Sequence, residues 1–300
     1  MLRQFLRKTR IANKITGHKT AEISIKDQAV KDMARFYDAN LCFGVTNNVN
    51  EIPLLPCRDL ASLEASLKRA GVSGGLVRAA DSDFTGVAYG NNFLKETLKT
   101  ATLDLYGVYT LLPSCTHEIP EPSDLPAVLR EGNFAALRVA PAIHNYLAKP
   151  GVLADYYEMA DSHNIPVIFD TACGITAGEI YDVMERFPSL TAIYAPSNEW
   201  PSDRFDRPFL SQFINLYMDL SFMLSDHGIE MFVAEYGARR FLFGSRFPSM
   251  YIGGAMLQLK QADIPEMAFE AIAGGNLLYL INRFHNGAEN DERGWSDTES

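Results

Sequence analysis

The chain has 300 residues, 47% of them hydrophobic and 21% charged, with a formal net charge of -10 and a pI near 5.1. No stretch approaches the run of about 18 apolar residues that crosses a bilayer, and an acidic chain lacks the Lys and Arg excess that nucleic acid or an anionic membrane surface requires. Four cysteines without a C-x-x-C pair exclude a dense disulfide scaffold and point to a reducing, cytoplasmic setting.

Residues 1–34 predict a basic, amphipathic extension. Arg3, Arg7, Lys8, Arg10, Lys14 and Lys19 are unaccompanied by acid up to residue 20, and Leu2, Phe5, Leu6 and Ile11 are too scattered for a signal-peptide core. From residue 35 to 284 short apolar runs alternate with segments of helical period, the pattern of parallel β/α units. The runs are Phe36 to Cys42, Gly75 to Ala79, Leu105 to Leu112, Ala135 to Ala140, Pro166 to Asp170, Thr191 to Ala195, Leu216 to Ser221 and Phe241 to Ser245. Between them, helical stripes read as Leu60, Leu63 and Leu67, as Leu153, Tyr156, Tyr157 and Ala160, and as Ile180, Val183, Met184 and Phe187. Thr176 with Glu179, and Asp263 with Glu266, have capping-box spacing, whereas Gly274-Gly275 reads as a helix stop. Residues 285–300 are polar and acidic and predict a disordered tail. Eight repeats without a Gly-, Ser- or Pro-rich linker predict an α/β protein, a single-domain (β/α)8 TIM barrel.

In this architecture the active site lies at the carboxyl ends of the strands. Residues predicted there are Asn40 and Cys42, Arg78, Cys115 and His117, Arg138 and His144, Asp170 and Cys173, Asn198, Glu199 and Trp200, Asp219 and His227, and Arg246. Arg78, Arg138 and Arg246 come from three different strands, and a guanidinium fork suits bidentate recognition of carboxylate. The alternation of strand four puts Ala136, Arg138 and Ala140 on one face. Such arginines form either a site for a small anionic molecule or an internal ion-pair ring with Asp170 and Asp219. Asp170 is the candidate general base, and a structural ion pair is the competing role. Asn40, His144, Asn198, Glu199, Trp200, Asp219 and His227 are candidate substrate contacts. Cys42, Cys115, His117 and Cys173 share the predicted face and define an alternative zinc or thiolate site, although their spacing gives it little support.

Three motifs carry a family resemblance. Asp38-Ala39-Asn40-Leu41-Cys42-Phe43-Gly44 resembles the Asp-x-His-x-His-x-Gly opening of the amidohydrolase-related (amidohydrolase 2) family of metal-dependent TIM-barrel hydrolases. Gly237-Ala238-Arg239-Arg240-Phe241-Leu242-Phe243-Gly244-Ser245-Arg246-Phe247-Pro248 resembles its Gly-Ala-x-Arg-x-Leu-Phe-Gly-Ser-Asp-Tyr-Pro, and Ile272-Ala273-Gly274-Gly275-Asn276-Leu277 its last-helix signature. The resemblance implies a divalent metal held by four histidines and an aspartate. The matching positions here are Asn40, Cys42, about Asp170, about Pro196, and Arg246, and an arginine has no lone pair to offer a cation. The chain is similar to a divergent branch that opens Asp-Ala-Asn and lacks that aspartate.

The sequence therefore predicts a metal-independent, cofactor-free hydrolase or related lyase. Its substrate would be a small carboxylate-bearing or carbohydrate-derived molecule, with Asp170 and Arg246 as the catalytic pair. A catalytically inactive ligand-binding or regulatory barrel is the alternative, and a metal hydrolase with replaced ligands the third. Barrels of the family often dimerise, so a homodimer is the assembly the resemblance allows.

Overall fold

A computed structural model describes residues 31, 34–44, 57–197 and 203–287. The chain divides into two compact units, 1–34 and 35–300; apart from Lys31 and Ala34, the first unit lies outside the described residues. The expected acidic tail also lies outside them beyond Gly287.

The second unit is a barrel of eight parallel strands in sequential order. They are β1 (Phe36–Phe43), β2 (Val72–Ala79), β3 (Asp104–Thr110), β4 (Phe134–Val139), β5 (Val167–Asp170), β6 (Ala192–Ala195), β7 (Leu216–Asp219) and β8 (Phe241–Leu242). Closure between the last strand and the first rests on Ala39 N–H to Phe243 O at 2.8 Å and Cys42 N–H to Phe247 O at 2.9 Å. Each strand is clothed on both sides, which is why the strands read as apolar runs rather than alternating ones. Leu76, Val108, Ala136, Ile168, Ile193 and Leu242, from six different strands, meet in one buried interior cluster. The helical stripes cover the outside: Leu60, Leu63 and Leu67 are buried, as are Tyr156, Tyr157 and Ala160, and Ile180, Val183 and Met184.

The two capping predictions part company. Thr176 caps the helix Ala177–Arg186, accepting from Glu179 N–H while Glu179 reaches back to Thr176 N–H. Asp263 caps nothing: the helix starts at Glu266 after Pro265, and the Asp263 amide instead donates to Glu230 Oε1 at 3.0 Å.

Gly274-Gly275 is not a stop. The helix that begins at Glu266 widens into a π turn over Ala271–Gly275 and continues to Asn286. A Cβ at Gly274 would lie 2.7 Å from Arg35 O, so the missing side chain lets this turn press against the backbone entering β1. The segment beyond places Leu277, Leu280 and Ile281 in the interior cluster. There they meet Tyr37, Tyr106 and Tyr217 from the beginnings of β1, β3 and β7. This helix closes the amino end of the barrel, and the opposite end stays open.

Candidate active site

At the open end lies a cavity of about 540 Å³. Arg78, Asp83, Arg138, Asp170, Cys173 and Arg246 line it together with Asn40 and Cys42, and Phe84, Ile143, Phe222, Phe247 and Met250 give it apolar walls. Beneath it a void of about 20 Å³, enough for one water, separates Asn40, Arg78, Arg138, Asp170 and Asp219 from Leu76, Val108, Ile168 and Ile193 of the barrel interior.

Six of the eight strands, β1, β2, β4, β5, β7 and β8, bring a polar residue to the cup at or just beyond the point where they leave the apolar interior. Arg78 and Arg138 stand one position before the ends of β2 and β4, and Asp170 and Asp219 are the last residues of β5 and β7. β1 is irregular: its pairing with β2 shifts between Asp38 and Leu41, a bulge that re-aims Asn40 into the cup. Arg246 follows β8 in a left-handed conformation with φ of 51°.

Two ion-paired groups line the cup. In the first, one carboxylate serves two guanidiniums. Arg78 Nη1 donates to Asp83 Oδ2 at 2.8 Å, and Arg138 Nη1 donates to Asp83 Oδ1 at 2.6 Å. Arg138 Nη2 also donates to Cys173 Sγ at 2.9 Å. Burial acts to raise the Asp83 carboxyl, but Arg78 and Arg138 outweigh it and hold the group below the usual carboxylate range. Burial pushes the Cys173 thiol up, with Arg138 opposing, so this sulfur is a poor nucleophile at neutral pH.

In the second group Arg246 Nη2 donates to Asp170 Oδ1 at 2.9 Å and to Pro196 O at 3.1 Å, while its Nε donates to Ser221 Oγ at 3.2 Å. The guanidinium lies 5.8 Å from the Phe222 ring centroid. Asp170 Oδ1 also accepts from Ala172 N–H at 2.9 Å. Among the described residues no hydrogen bond falls on Asp170 Oδ2.

The floor holds two further acids. Asp219 accepts from Asn40 Nδ2 at 2.8 Å and from both the amide and the hydroxyl of Ser221. Burial pushes its carboxyl up, with Arg246, Asn40 and Ser221 opposing. Gly244 is required here, because a Cβ would lie 2.0 Å from Asp219 Oδ1. Asp38 Oδ1 accepts from Asn40 N–H and Ser245 N–H, whereas its buried Oδ2 has no hydrogen-bond partner among the described residues. Burial pushes this carboxyl up to about 7.

The sequence-predicted residues thus divide. Asn40, Arg78, Arg138, Asp170 and Arg246 converge on the cup, and Asp219 underlies it. His144 stands behind the wall: its side chain is buried, its Nε2 lies 3.9 Å from Asp83 Oδ1, and burial lowers its pKa, favouring the neutral ring. His227 is not a cup residue. It precedes the helix Gly228–Tyr236 with its ring in solvent, 3.6 Å from Glu230. Asn198, Glu199 and Trp200 lie outside the described residues. Of the proposed thiolate set, Cys42 and Cys173 reach the cup, but Cys115 and His117 are exposed on the 3-10 turn after β3 and do not join them. Asp83 is the main residue that sequence reasoning missed. Its one available signal was an acid five positions after Arg78, in the segment that must lie at the strand's carboxyl end.

No protein-family model and no curated protein sequence matches the chain. Solved structures do. An uncharacterised TIM-barrel protein from Bordetella bronchiseptica matches with a TM-score of 0.58 at 19% identity, over 75% of this chain and 84% of that one. A dihydroxybenzoic acid decarboxylase from a Polaromonas species, solved with bound manganese, matches with a TM-score of 0.64 at 14% identity, over 84% and 98%. A putative amidohydrolase from Staphylococcus aureus matches with a TM-score of 0.62 at 10% identity, over 83% and 99%.

The chain has the TIM-barrel fold of these proteins. At such identities the likeness is one of fold. Arg246, whose guanidinium has no lone pair for a cation, bonds to the Asp170 carboxylate, and among the described residues no three His, Cys, Asp or Glu side chains gather around a common point. No helix among the described residues is long and apolar enough to cross a membrane.

Proposed function

We propose that this protein binds a small carboxylate-bearing molecule in the cup and acts on it as a lyase, or in a second mode as a hydrolase, without a divalent metal. The observation that carries the reading is the open cavity at the carboxyl ends of the strands, where three arginines and Asp170 share one wall system with aromatic side chains. A guanidinium fork receives the carboxylate, and Phe84, Phe222 and Phe247 suit a flat apolar body. Asp170 Oδ2 is the oxygen left to exchange a proton. In the lyase mode the carboxyl group leaves as carbon dioxide, its bonding electrons stay on the ligand carbon, and a proton delivered through Asp170 fills the vacated position. In the hydrolase mode Asp170 takes the proton of a water that adds to an ester or amide carbonyl, an arginine N–H stabilises the developing oxyanion, and on its collapse the C–O or C–N bond breaks as Asp170 returns the proton to the leaving oxygen or nitrogen. The fold shared with a dihydroxybenzoic acid decarboxylase favours the first mode.

A ligand-binding barrel without turnover is the second reading. It is favoured by the ion pairing of all three arginines within the protein itself. A panel of aromatic and aliphatic carboxylic acids, read first by thermal shift and then by carbon dioxide release, tests both. Binding with turnover that disappears in Asp170→Asn supports the lyase; binding without turnover supports the second reading. Absence of any thermal shift across the panel would sink the carboxylate site itself.

A further inference from the structure

The Arg78–Asp83–Arg138 group is unequal in its charges and its exposure. Asp83 is a single carboxylate, 5% exposed, lodged between two guanidiniums. Arg138 is 3% exposed and divides its N–H groups between Asp83 and Cys173. Arg78 is 26% exposed, and among the described residues it donates to Asp83 alone, through Nη1. Among the described residues no other carboxylate pairs with Arg78 or Arg138. His144, behind Asp83, is driven towards its neutral form by burial, and so is the Cys173 thiol. Asp170 is engaged by Arg246. Asp219, on the floor, is satisfied by the neutral donors Asn40 and Ser221. Among the described residues these contacts set two guanidiniums against one carboxylate, and Arg78, the more exposed of the two, presents the unmatched charge to the cavity.

We infer that Asp83 sets the charge class of the ligand: by holding one of the two guanidinium charges it leaves the wall able to neutralise a monoanion and not a dianion. The inference rests on the reading that the cup takes carboxylates. A monocarboxylate placed against Arg78 completes the charge balance of the wall. A dicarboxylate would carry one further negative charge into a partly desolvated site with no cation to meet it, which is costly. Asp83 is delivered by the helix Asp81–Phe84 immediately after β2. Arg78 and the residue that limits its charge thus arise five positions apart in one β/α connection, while Arg138 is contributed from 55 positions away.

Calorimetry with the full chain, using benzoate, isophthalate and neutral benzamide as ligands, tests the assignment. The wild type is expected to favour benzoate over isophthalate. Asp83→Asn keeps the shape of the side chain and removes its charge, and is expected to shift the affinity ratio towards isophthalate by roughly tenfold or more. Asp83→Glu, which retains the charge, is expected to keep the wild-type ratio. Arg78→Gln is expected to weaken benzoate at least about tenfold and leave benzamide unchanged. This variant covers the case in which Asp83→Asn does not fold. An unchanged ratio in a folded Asp83→Asn overturns the role of Asp83 while leaving the carboxylate site standing, and equal losses for benzoate and benzamide in Arg78→Gln overturn the unmatched charge on Arg78 that this role requires. A wild type that binds neither acid overturns both.

Discussion

Asp38 and Asp219 are two fully buried carboxyls on neighbouring parts of the cup floor, both bonded to Asn40: its amide donates to Asp38 Oδ1 and its side chain to Asp219 Oδ2. The charge of Asp219 adds to burial in pushing Asp38 up to about 7. In the unfolded chain an aspartate titrates near about 3.9. Between these values the unfolded state has released the Asp38 proton and the folded state has kept it, so the contribution of Asp38 to stability is complete at low pH and is lost as pH rises through 7. Between pH 5 and pH 8 this slope is expected to amount to roughly 2–3 kcal/mol and to be absent from Asp38→Asn. Urea unfolding of both proteins at the two pH values measures it; parallel slopes for variant and wild type would refute the assignment.

Arg240 anchors the approach to β8. It is buried, and donates to the carbonyl oxygens of Leu210, Phe213 and Leu216, with Nε to Leu216 O at 2.9 Å. Removing it strands several buried carbonyls at once. Arg240→Met is expected to lower stability by about 3 kcal/mol or more without direct effect on carboxylate binding, as judged by denaturant midpoint and by benzoate titration. A loss below about 1 kcal/mol would show that water replaces these bonds readily.

Gly244→Ala attacks the site from behind. Because the added methyl would overlap Asp219 Oδ1, the carboxylate must leave Asn40 or the backbone must move. The expected cost is roughly 1–3 kcal/mol, with weakened carboxylate binding as Asn40 is released. Thermal melts and calorimetry read the two effects, and a variant with unaltered stability would contradict the close packing of β7 against β8.

Cysteine chemistry separates wall from surface. Cys115 is exposed, while Cys42, Cys57 and Cys173 are buried; burial raises the Cys57 thiol to about 12 and also raises Cys173. Iodoacetamide at pH 7.5 is expected to modify Cys115 first, with Cys173 protected until the protein unfolds. Peptide mass mapping after brief labelling provides the check, and early modification of Cys173 would mean that the Arg138 contact activates the thiol.

Much of the barrel was legible because its periodicities are local. Strand runs such as Ala135 to Ala140 are apolar on both faces except at Arg138, and the Ile180, Val183 and Met184 stripe has helical spacing. Gly74-Gly75 concealed the true start of β2 at Val72, since paired glycines resemble a break. The π turn over Ala271–Gly275 was concealed for the same reason, because the contact that favours glycine there comes from Arg35, far away in sequence. The cup was legible as far as strand ends could supply it: Arg78, Arg138, Asp170 and Arg246 were placed by position alone. The partner of Arg78 and Arg138 was not, because an acid in a short helix after a strand has the appearance of a solvated residue. His227 looked equally eligible, yet its loop carries the ring outwards.

The helix that closes the amino end of the barrel has a consequence for synthesis. Leu277, Leu280 and Ile281 complete an interior cluster whose other members begin at Tyr37. A ribosome must therefore add nearly all of the described chain before water is expelled from the barrel's base. Until then, the partly assembled strands expose an apolar interior, and the nascent protein is most vulnerable to aggregation just before residues 276–286 emerge.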